Sequence, residues 1–299
     1  MLFLKMLKEL RFLFVFFFAL FFFIFFSFFS ALPVSLVSVQ GSPLETLMGE
    51  KMGHSVKLPI IMYHVITDSP SNMWEITAEE FETDLIYLRD NGYTAITMQD
   101  VIDFVEHGKA LPDRPILITF DDGRAATTDQ LIPLLKKYDA KAMLAIIGYE
   151  TDHYTELSKE QTHIKRHPHL TWQDVQKALE SGMVEIQSHT HNLHGKTGAG
   201  RLCNESKDDY RARLTADLNK FNQALKEHTG QTANTLVYPY GIFSDCTDSF
   251  LEDVGYVASM TASEGVNTLV VGNRDCLHGL ARYNRPPHIS SERFFGKIK

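Results

Sequence analysis

The sequence predicts an α/β domain built on a parallel sheet, and three observations lead to this prediction. Strand-like and helix-like segments alternate from Pro59 to the C-terminus, in about six or seven units. Two strand-like runs, "PILITF" (115–120) and "KAMLAII" (141–147), are apolar on both faces, as a buried parallel strand is. The roughly 240 residues of this region suit one closed barrel better than two small domains. An open doubly wound sheet is the alternative architecture.

A long apolar segment precedes this domain. Thirteen of the 21 phenylalanines lie in the first 29 residues, and residues 12–32 carry no charge. About 20 such residues are enough to span a bilayer, and the basic residues before them favour a cytoplasmic N-terminus. We therefore expect residues 1–40 to be a signal peptide or membrane anchor, 41–57 a linker, and 58–299 an exported domain. The apolar run is longer than that of a usual secretory signal, so its cleavage stays open.

Helix start and stop signals divide the domain into its elements. Thr77 and Glu80 form a capping box, and apolar residues at helical spacing continue from there to Gly92. Similar signals predict further helices: one that ends at Gly108, one around 131–138, one from Thr171 to Gly182, one around 214–225 that ends at Gly230, and a short one opened by Ser291. The segment with His153, His163, His167 and His169 is predicted as a solvated loop over the mouth of the sheet. Tyr149, Tyr154 and Trp172 could stack against a sugar there.

Composition and charge narrow the class of protein. The chain is 44% hydrophobic and 22% charged, which indicates a globular core and excludes a disordered chain. The net charge of −8 argues against a nucleic-acid partner. Cys203, Cys246 and Cys276 allow at most one intramolecular disulfide, and without a CxxC pattern they predict no cysteine metal site. The sequence leaves the oligomeric state open.

Two polar clusters follow predicted strands, where α/β folds place their chemistry. Asp121 and Asp122 come directly after "ILITF", and their mutual repulsion calls for a compensating cation. The alternative is an Asp-Asp-Gly turn without function. The run "SHTHNLH" follows "VEIQ" and supplies His189, His191 and His194. One carboxylate with two imidazoles is an arrangement that holds a divalent metal with open positions.

Two further strand ends carry weaker signals. In "YPYG" (238–241) a backbone N–H can point at a developing oxyanion, although a simple turn is an equal interpretation. His64 ends "PIIMYH", and a histidine at a strand end is as often structural as catalytic.

In order and spacing, "ITFDDG", "SHTHNLH" and "YPYG" resemble the polysaccharide deacetylases of carbohydrate esterase family 4. The resemblance extends from about Pro59 to the C-terminus and includes "PIIMYH", "EEFETDLIYLRDNGY" and "LPDRPILITFDDG". It is strongest to the branch of exported poly-N-acetylglucosamine deacetylases, in which the two metal histidines are five residues apart. The resemblance implies a distorted (β/α)7 barrel and a catalytic domain at 58–299.

The resemblance also implies a role for each matching residue. The implied ligands of a divalent metal, most often zinc, are Asp122, His189 and His194. Asp121 would be the general base, and the backbone N–H of Tyr240 would help to hold the oxyanion. His64 would protonate the leaving amine, while His191 would point away from the metal.

The sequence departs from the family pattern at two positions. Many members carry an Arg two residues before the Pro-Tyr pair, whereas residues 236–238 here are Leu-Val-Tyr. Arg124 or Arg282 could replace it. Arg124 itself stands where an aromatic residue is common after "FDDG".

Three functions agree with these observations. The first is metal-dependent N-deacetylation of an exported polymer that contains N-acetylglucosamine, either poly-N-acetylglucosamine or peptidoglycan. The second is a catalytically silent module of the same fold that binds carbohydrate or cell wall. The third is a metal-dependent esterase or amidase that acts on another small acyl group.

Overall fold

The computed structural model describes residues 53–161 and 168–298. The predicted signal peptide or anchor (1–40) lies outside the described residues, as do His163, His167 and most of the predicted linker. The first strand begins at Ser55. Within the described ranges, no helix is both long and apolar enough to cross a membrane.

Short strands and longer helices alternate along the chain. The strands are β1 Ser55–Leu58, β2 Ile60–Tyr63, β3 Val65–Ile66, β4 Glu75–Ile76, β5 Thr94–Ile96, β6 Pro115–Phe120, β7 Ala142–Ile146, β8 Val184–Ser188, β9 Thr235–Val237, β10 Ala258–Met260, β11 Asn267–Val270 and β12 Tyr283–Asn284. The helices are α1 Ala78–Asp90, α2 Met98–His107, α3 Ala125–Tyr138, α4 Gly148–Glu160, α5 Trp172–Glu180, α6 Lys207–Thr229, α7 Asp248–Leu251 and α8 Ser291–Phe295.

The main sheet is parallel, as predicted. Its strands follow the order β10-β9-β8-β7-β6-β2-β12, and β5 pairs in parallel with the first half of β6. A β-bridge between Met260 and Leu280 joins the end of β10 to the segment before β12. The sheet therefore curls so that its β10 edge approaches the chain that leads into β12 at its other edge. The helices pack on the outside of the sheet. The antiparallel pair of β1 and β11 was not predicted from the sequence.

The strands are buried on both faces because their side chains alternate between two apolar clusters. In β6, Ile116, Ile118 and Phe120 belong to the cluster that includes α1, α3 and α6, whereas Leu117 belongs to the cluster that includes α2. Both faces of "PILITF" therefore need apolar residues, which explains its lack of alternation.

One predicted loop is a helix. Residues 148–160 form α4, so the prediction that His153 lies in a solvated loop was wrong. The helix buries only Gly148 and Thr151, so it has no apolar stripe from which it could be predicted. The three cysteines are free, and no disulfide joins them.

The parallel strands bring the polar clusters to one edge of the sheet. β2 ends before His64, β6 before Asp121, β8 before His189 and β9 before Tyr238. Because these four strands run in the same direction, the residues that follow them meet at the same edge.

Candidate active site

All six residues that the sequence singled out for chemistry line one cavity of about 510 Å³. The cavity opens at the carboxyl edge of the sheet. The six are His64, Asp121, Asp122, His189, His194 and Tyr240. Six further lining residues carry polar or aromatic groups: Asn72, Trp74, Glu75, Arg124, Tyr238 and Arg282.

The donor atoms of Asp122, His189 and His194 lie within 4.8 Å of one another. Asp122 Oδ1 is 3.5 Å from His189 Nε2 and 3.3 Å from His194 Nε2. His189 Nδ1 donates to the Val237 carbonyl at 2.9 Å, so its Nε2 keeps a lone pair for a ligand. Among the described residues, this is the group of three whose donor set suits a divalent metal. The residues present therefore fit such an ion.

A strained turn aims Asp122 at the two imidazoles. Asp122 has a φ of 71°, and Gly123 follows with a φ of 66°. A Cβ on residue 123 would lie 3.0 Å from the Ile146 side chain, so glycine satisfies both the backbone angle and the close approach. His169 Nδ1 donates to the Asp122 carbonyl at 2.9 Å and holds the same turn from outside.

The charge states of these three side chains also suit a metal. Burial opposes ionisation of Asp122, but the hydrogen bond from His194 and the nearby imidazoles hold its pKa well below the usual value. Burial lowers the pKa of His189 and keeps it neutral. Burial also disfavours the charged form of His194, yet the Asp122 carboxylate outweighs it and raises the His194 pKa. A metal competes with a proton for this imidazole, so metal binding should weaken as the pH falls.

Asp121 forms a buried bidentate ion pair. Arg282 Nη1 and Nη2 donate to its two carboxylate oxygens, each at 2.8 Å, and both side chains are almost completely buried. Burial opposes the charge of Asp121, but the guanidinium outweighs it and lowers the Asp121 pKa. Of the two arginines that the sequence offered as replacements for the motif Arg, Arg282 contacts Asp121.

His64 faces the cavity beside an aromatic ring that the sequence analysis missed. The Trp74 ring centroid is 4.7 Å from that of His64, and Trp74 is 42% exposed. His64 Nδ1 is buried and has no hydrogen-bond partner within the part of the chain that the structure describes. Trp74 lies in the turn just before β4, and no motif or spacing connects it to His64.

Tyr240 brings its side chain into contact with the site. It has a φ of 57° inside a 3-10 turn and is 60% exposed. Its hydroxyl lies 3.2 Å from His194 Nδ1, and its ring centroid is 4.7 Å from that of His194. The side chain therefore covers one of the three predicted metal ligands, a contact that the sequence did not indicate.

Within the described residues, His191 and the three aromatic residues that were predicted as sugar platforms lie outside the cavity lining. His191 is buried, and its Nε2 is 2.9 Å from Asp152 Oδ2. Trp172 is also buried and donates to the other Asp152 oxygen, so it is unable to stack on a sugar. Tyr154 stacks on His169, and Tyr149 is half-exposed on α4.

Comparison with known proteins identifies the family. A sequence profile described as polysaccharide deacetylase matches residues 108–259, just over half of the chain. The chain belongs to the polysaccharide deacetylase family. The family that the motifs predicted is therefore confirmed.

The similar curated proteins are bacterial. The chain is 28% identical to YxkH of Bacillus subtilis, provisionally named a polysaccharide deacetylase, over 88% of this chain and 84% of that protein. It is 24% identical to poly-beta-1,6-N-acetyl-D-glucosamine N-deacetylase of Escherichia coli, over 74% of this chain and 36% of that protein. The enzyme of the same name in Staphylococcus epidermidis is 28% identical, over 58% of this chain and 56% of its own length. This chain thus spans about a third and about half of these last two proteins.

Solved structures share the fold. The deacetylase PplD of Streptococcus pyogenes superimposes with a TM-score of 0.66 at 23% identity, over 82% of this chain and all of that one. A de-N-acetylase from Aggregatibacter actinomycetemcomitans gives 0.65 at 25% identity, over 81% and 98%. The curled parallel sheet with outer helices is therefore a (β/α) deacetylase fold.

Proposed function

We propose that this chain is a metal-dependent N-deacetylase of an exported polysaccharide that contains N-acetylglucosamine, and that it releases acetate. One observation carries the proposal. A single cavity is lined by three side chains that suit a metal, by a carboxylate that a buried arginine keeps ionised, and by a histidine that follows the neighbouring strand. The names of the curated relatives support poly-N-acetylglucosamine as a substrate, and peptidoglycan is the other polymer of this class.

Asp122, His189 and His194 would hold the ion, which we propose to be zinc. A bound divalent metal lowers the pKa of water and polarises a carbonyl group. We propose further that residues 1–40 export or anchor the protein, and that residues 58–299 form a distorted (β/α)7 barrel with the site outside the cytoplasm.

The residues of the chain divide the proton transfers between them. Asp121, kept ionised by Arg282, accepts a proton from the attacking water. The backbone N–H of Tyr240 donates to the carbonyl oxygen as that oxygen gains negative charge. His64 donates a proton to the amide nitrogen, because an amine leaves only when it is protonated. The products are acetate and a free amino sugar.

Acetate release from N-acetylglucosamine oligomers tests the proposal. The full chain is purified in a mild detergent, and acetate is measured with chelator, without chelator and after zinc is restored. We expect chelator to abolish release and zinc to restore it. Asp121→Asn should keep the metal and lose turnover, whereas Asp122→Ala should lose both. Asp90→Asn, at an exposed surface pair on α1, is the matched control and should behave as the parent chain.

Two outcomes would contradict the proposal. Bound metal without acetate release from any N-acetylated glycan would favour the silent binding module. Release from small acyl esters but not from N-acetyl sugars would favour the esterase.

A further inference from the structure

Arg124 places a cation on the wall of the cavity. It directly follows the "FDDG" turn that carries Asp121 and Asp122, and its half-buried side chain lines the cavity with them. Its main chain bridges to His169, which fixes the start of the side chain. The residue therefore belongs to the cavity itself and not to the outer surface.

A hydrogen-bond relay orients the guanidinium. His169 Nδ1 faces the Asp122 carbonyl, which only accepts, so Nδ1 carries the proton and Nε2 is an acceptor. Arg124 Nη1 donates to that Nε2 at 3.1 Å. The Tyr154 ring stacks on His169 with an interplanar angle of 11° and supports the relay. A cation held in this way loses little side-chain entropy when it binds a ligand.

The charge of Arg124 is not neutralised by direct contact with a carboxylate. Within residues 53–161 and 168–298, no carboxylate oxygen lies within 4.0 Å of its guanidinium, and His169 accepts its one hydrogen bond. Arg282, the other arginine of the cavity, uses Nη1 and Nη2 on Asp121. Glu75 lines the same cavity and interacts with the charge of Arg124 through space, but its carboxylate accepts two hydrogen bonds from Ser71 and forms no ion pair with Arg124. In the part of the chain that the structure describes, the other N–H groups of Arg124 have no hydrogen-bond partner and can face a ligand in the cavity.

The cavity has room for more than an acetamido group. Its volume of about 510 Å³ lies within the range of pockets that hold drug-sized ligands. Trp74 and Tyr240 line it with partly exposed rings, which offer flat apolar faces to sugar rings. A sugar next to the one that loses its acetyl group can therefore also reach the wall that carries Arg124.

We propose that Arg124 binds a carboxylate on a sugar adjacent to the one that is deacetylated, so that the protein prefers an acidic glycan to a neutral one. The inference rests on the proposed function, because the proposed mechanism places the N-acetyl group at the Asp121 end of the cavity. Guanidinium and carboxylate match in geometry and charge. A lactyl ether on an amino sugar and a uronic acid are two sources of such a carboxylate.

Equilibrium binding tests the inference independently of turnover. Calorimetry with the full-length Asp121→Asn variant compares three ligands of equal length: a neutral N-acetylglucosamine tetramer, a tetrasaccharide that alternates it with a lactyl-bearing amino sugar, and the carboxamide form of the latter. A fourth ligand replaces the lactyl-bearing sugar with a uronic acid. We expect a carboxylate ligand to bind about tenfold more tightly than the neutral tetramer, the value for one charge-assisted hydrogen-bonded pair. The lactyl and uronic arms then identify the source of the charge.

Variants assign the preference to Arg124. Arg124→Gln should bring the affinity ratio of acidic to neutral ligand close to one, whereas Arg124→Lys should keep a ratio above one. Arg89→Gln removes an exposed arginine from α1 and should leave the ratio unchanged. Metal content is measured for each variant, because His169 links Arg124 to the turn of Asp122.

The inference is overturned if the parent protein binds acidic and neutral ligands with equal affinity. It is also overturned if Arg124→Gln keeps both its metal and the preference for the acidic ligand. Failure of acetate release with a preserved affinity ratio would instead refute the proposed deacetylation and leave the acidic-glycan site standing.

Discussion

Replacing Arg282 by methionine removes the partner of a buried base and so tests the core of the proposed mechanism. Breaking a buried ion pair from one side costs about 3–5 kcal/mol, because the remaining charge stays uncompensated. Arg282 also donates to the Thr261 carbonyl at 2.8 Å and to Thr119 Oγ1 at 3.2 Å, and both acceptors would lose that donor. We therefore expect Arg282→Met to lower the free energy of unfolding by about 3–5 kcal/mol.

The same change should reverse the pKa shift of Asp121. Burial raises this pKa, and the charge of the Arg282 guanidinium is the largest of the effects that lower it below its usual value in the parent protein. In the parent, the stability that ionised Asp121 contributes is present above about pH 4 and is lost as the pH falls through the lowered pKa. In the variant, burial acts without its counterweight, so the base becomes protonated at higher pH. The acidic limb of the pH–rate profile should then move to higher pH.

Urea denaturation and the pH dependence of kcat measure the two effects. Complete loss of a positioned general base lowers turnover by about 10²–10⁴-fold. The loss of turnover in Arg282→Met at neutral pH should therefore not exceed that factor. The double variant Asp121→Asn with Arg282→Met should be less destabilised than the sum of the two single variants, because no unpaired charge remains. Arg89→Met, which breaks an exposed pair, is the control and should cost about 0–1 kcal/mol. An unchanged acidic limb together with a stability loss below about 1 kcal/mol would refute the reasoning.

Three further predictions follow from the same contacts. His189→Ala and His194→Ala should each lose metal together with activity, and elemental analysis measures the metal. If a variant keeps stoichiometric metal, the histidine that it lacks is not a ligand. His64→Ala should lower turnover by about 10²–10⁴-fold with its metal retained, and unchanged kinetics would assign the acid to another group. Burial raises the pKa of Glu185 to about 7, so its contribution to stability is full below about pH 4.5 and falls by about 3 kcal/mol as the pH rises to 7. Denaturation of Glu185→Gln between pH 4.5 and 7 should show that this slope is lost, and an unchanged slope would place its origin elsewhere.

Local signals in the sequence were enough to predict most of the helices. The capping boxes of Thr77 with Glu80 and of Thr171 with Asp174 are both present, and α2 and α6 end at left-handed Gly108 and Gly230. These features depend on residues within one turn of each other, so they can be predicted from the sequence. The positions of the strand ends then placed the six predicted site residues at one edge.

Most long-range contacts could not be predicted from the sequence. Arg282 is 161 residues from Asp121, and the sequence named it only as one of two arginines that could replace the motif Arg. Trp74 reaches His64 through a loop with no regular pattern, and β1 pairs with β11 across more than 200 residues. Each of these contacts depends on where the curled sheet brings separate segments together, which local propensity and periodicity do not encode.

The adjacent aspartates show why the sheet edge matters for the chemistry. Asp121 and Asp122 are the same residue type one position apart, yet the left-handed φ of Asp122 turns their carboxylates into different surroundings. Asp121 meets a guanidinium and has both oxygens engaged, whereas Asp122 meets two imidazoles whose Nε2 atoms face it. In the proposed mechanism, environment and not residue type divides the two carboxylates between proton transfer and metal binding. Exchanging these proposed roles would require the arginine and the two histidines to change sides, so the turn and Arg282 together would determine which aspartate acts as the base.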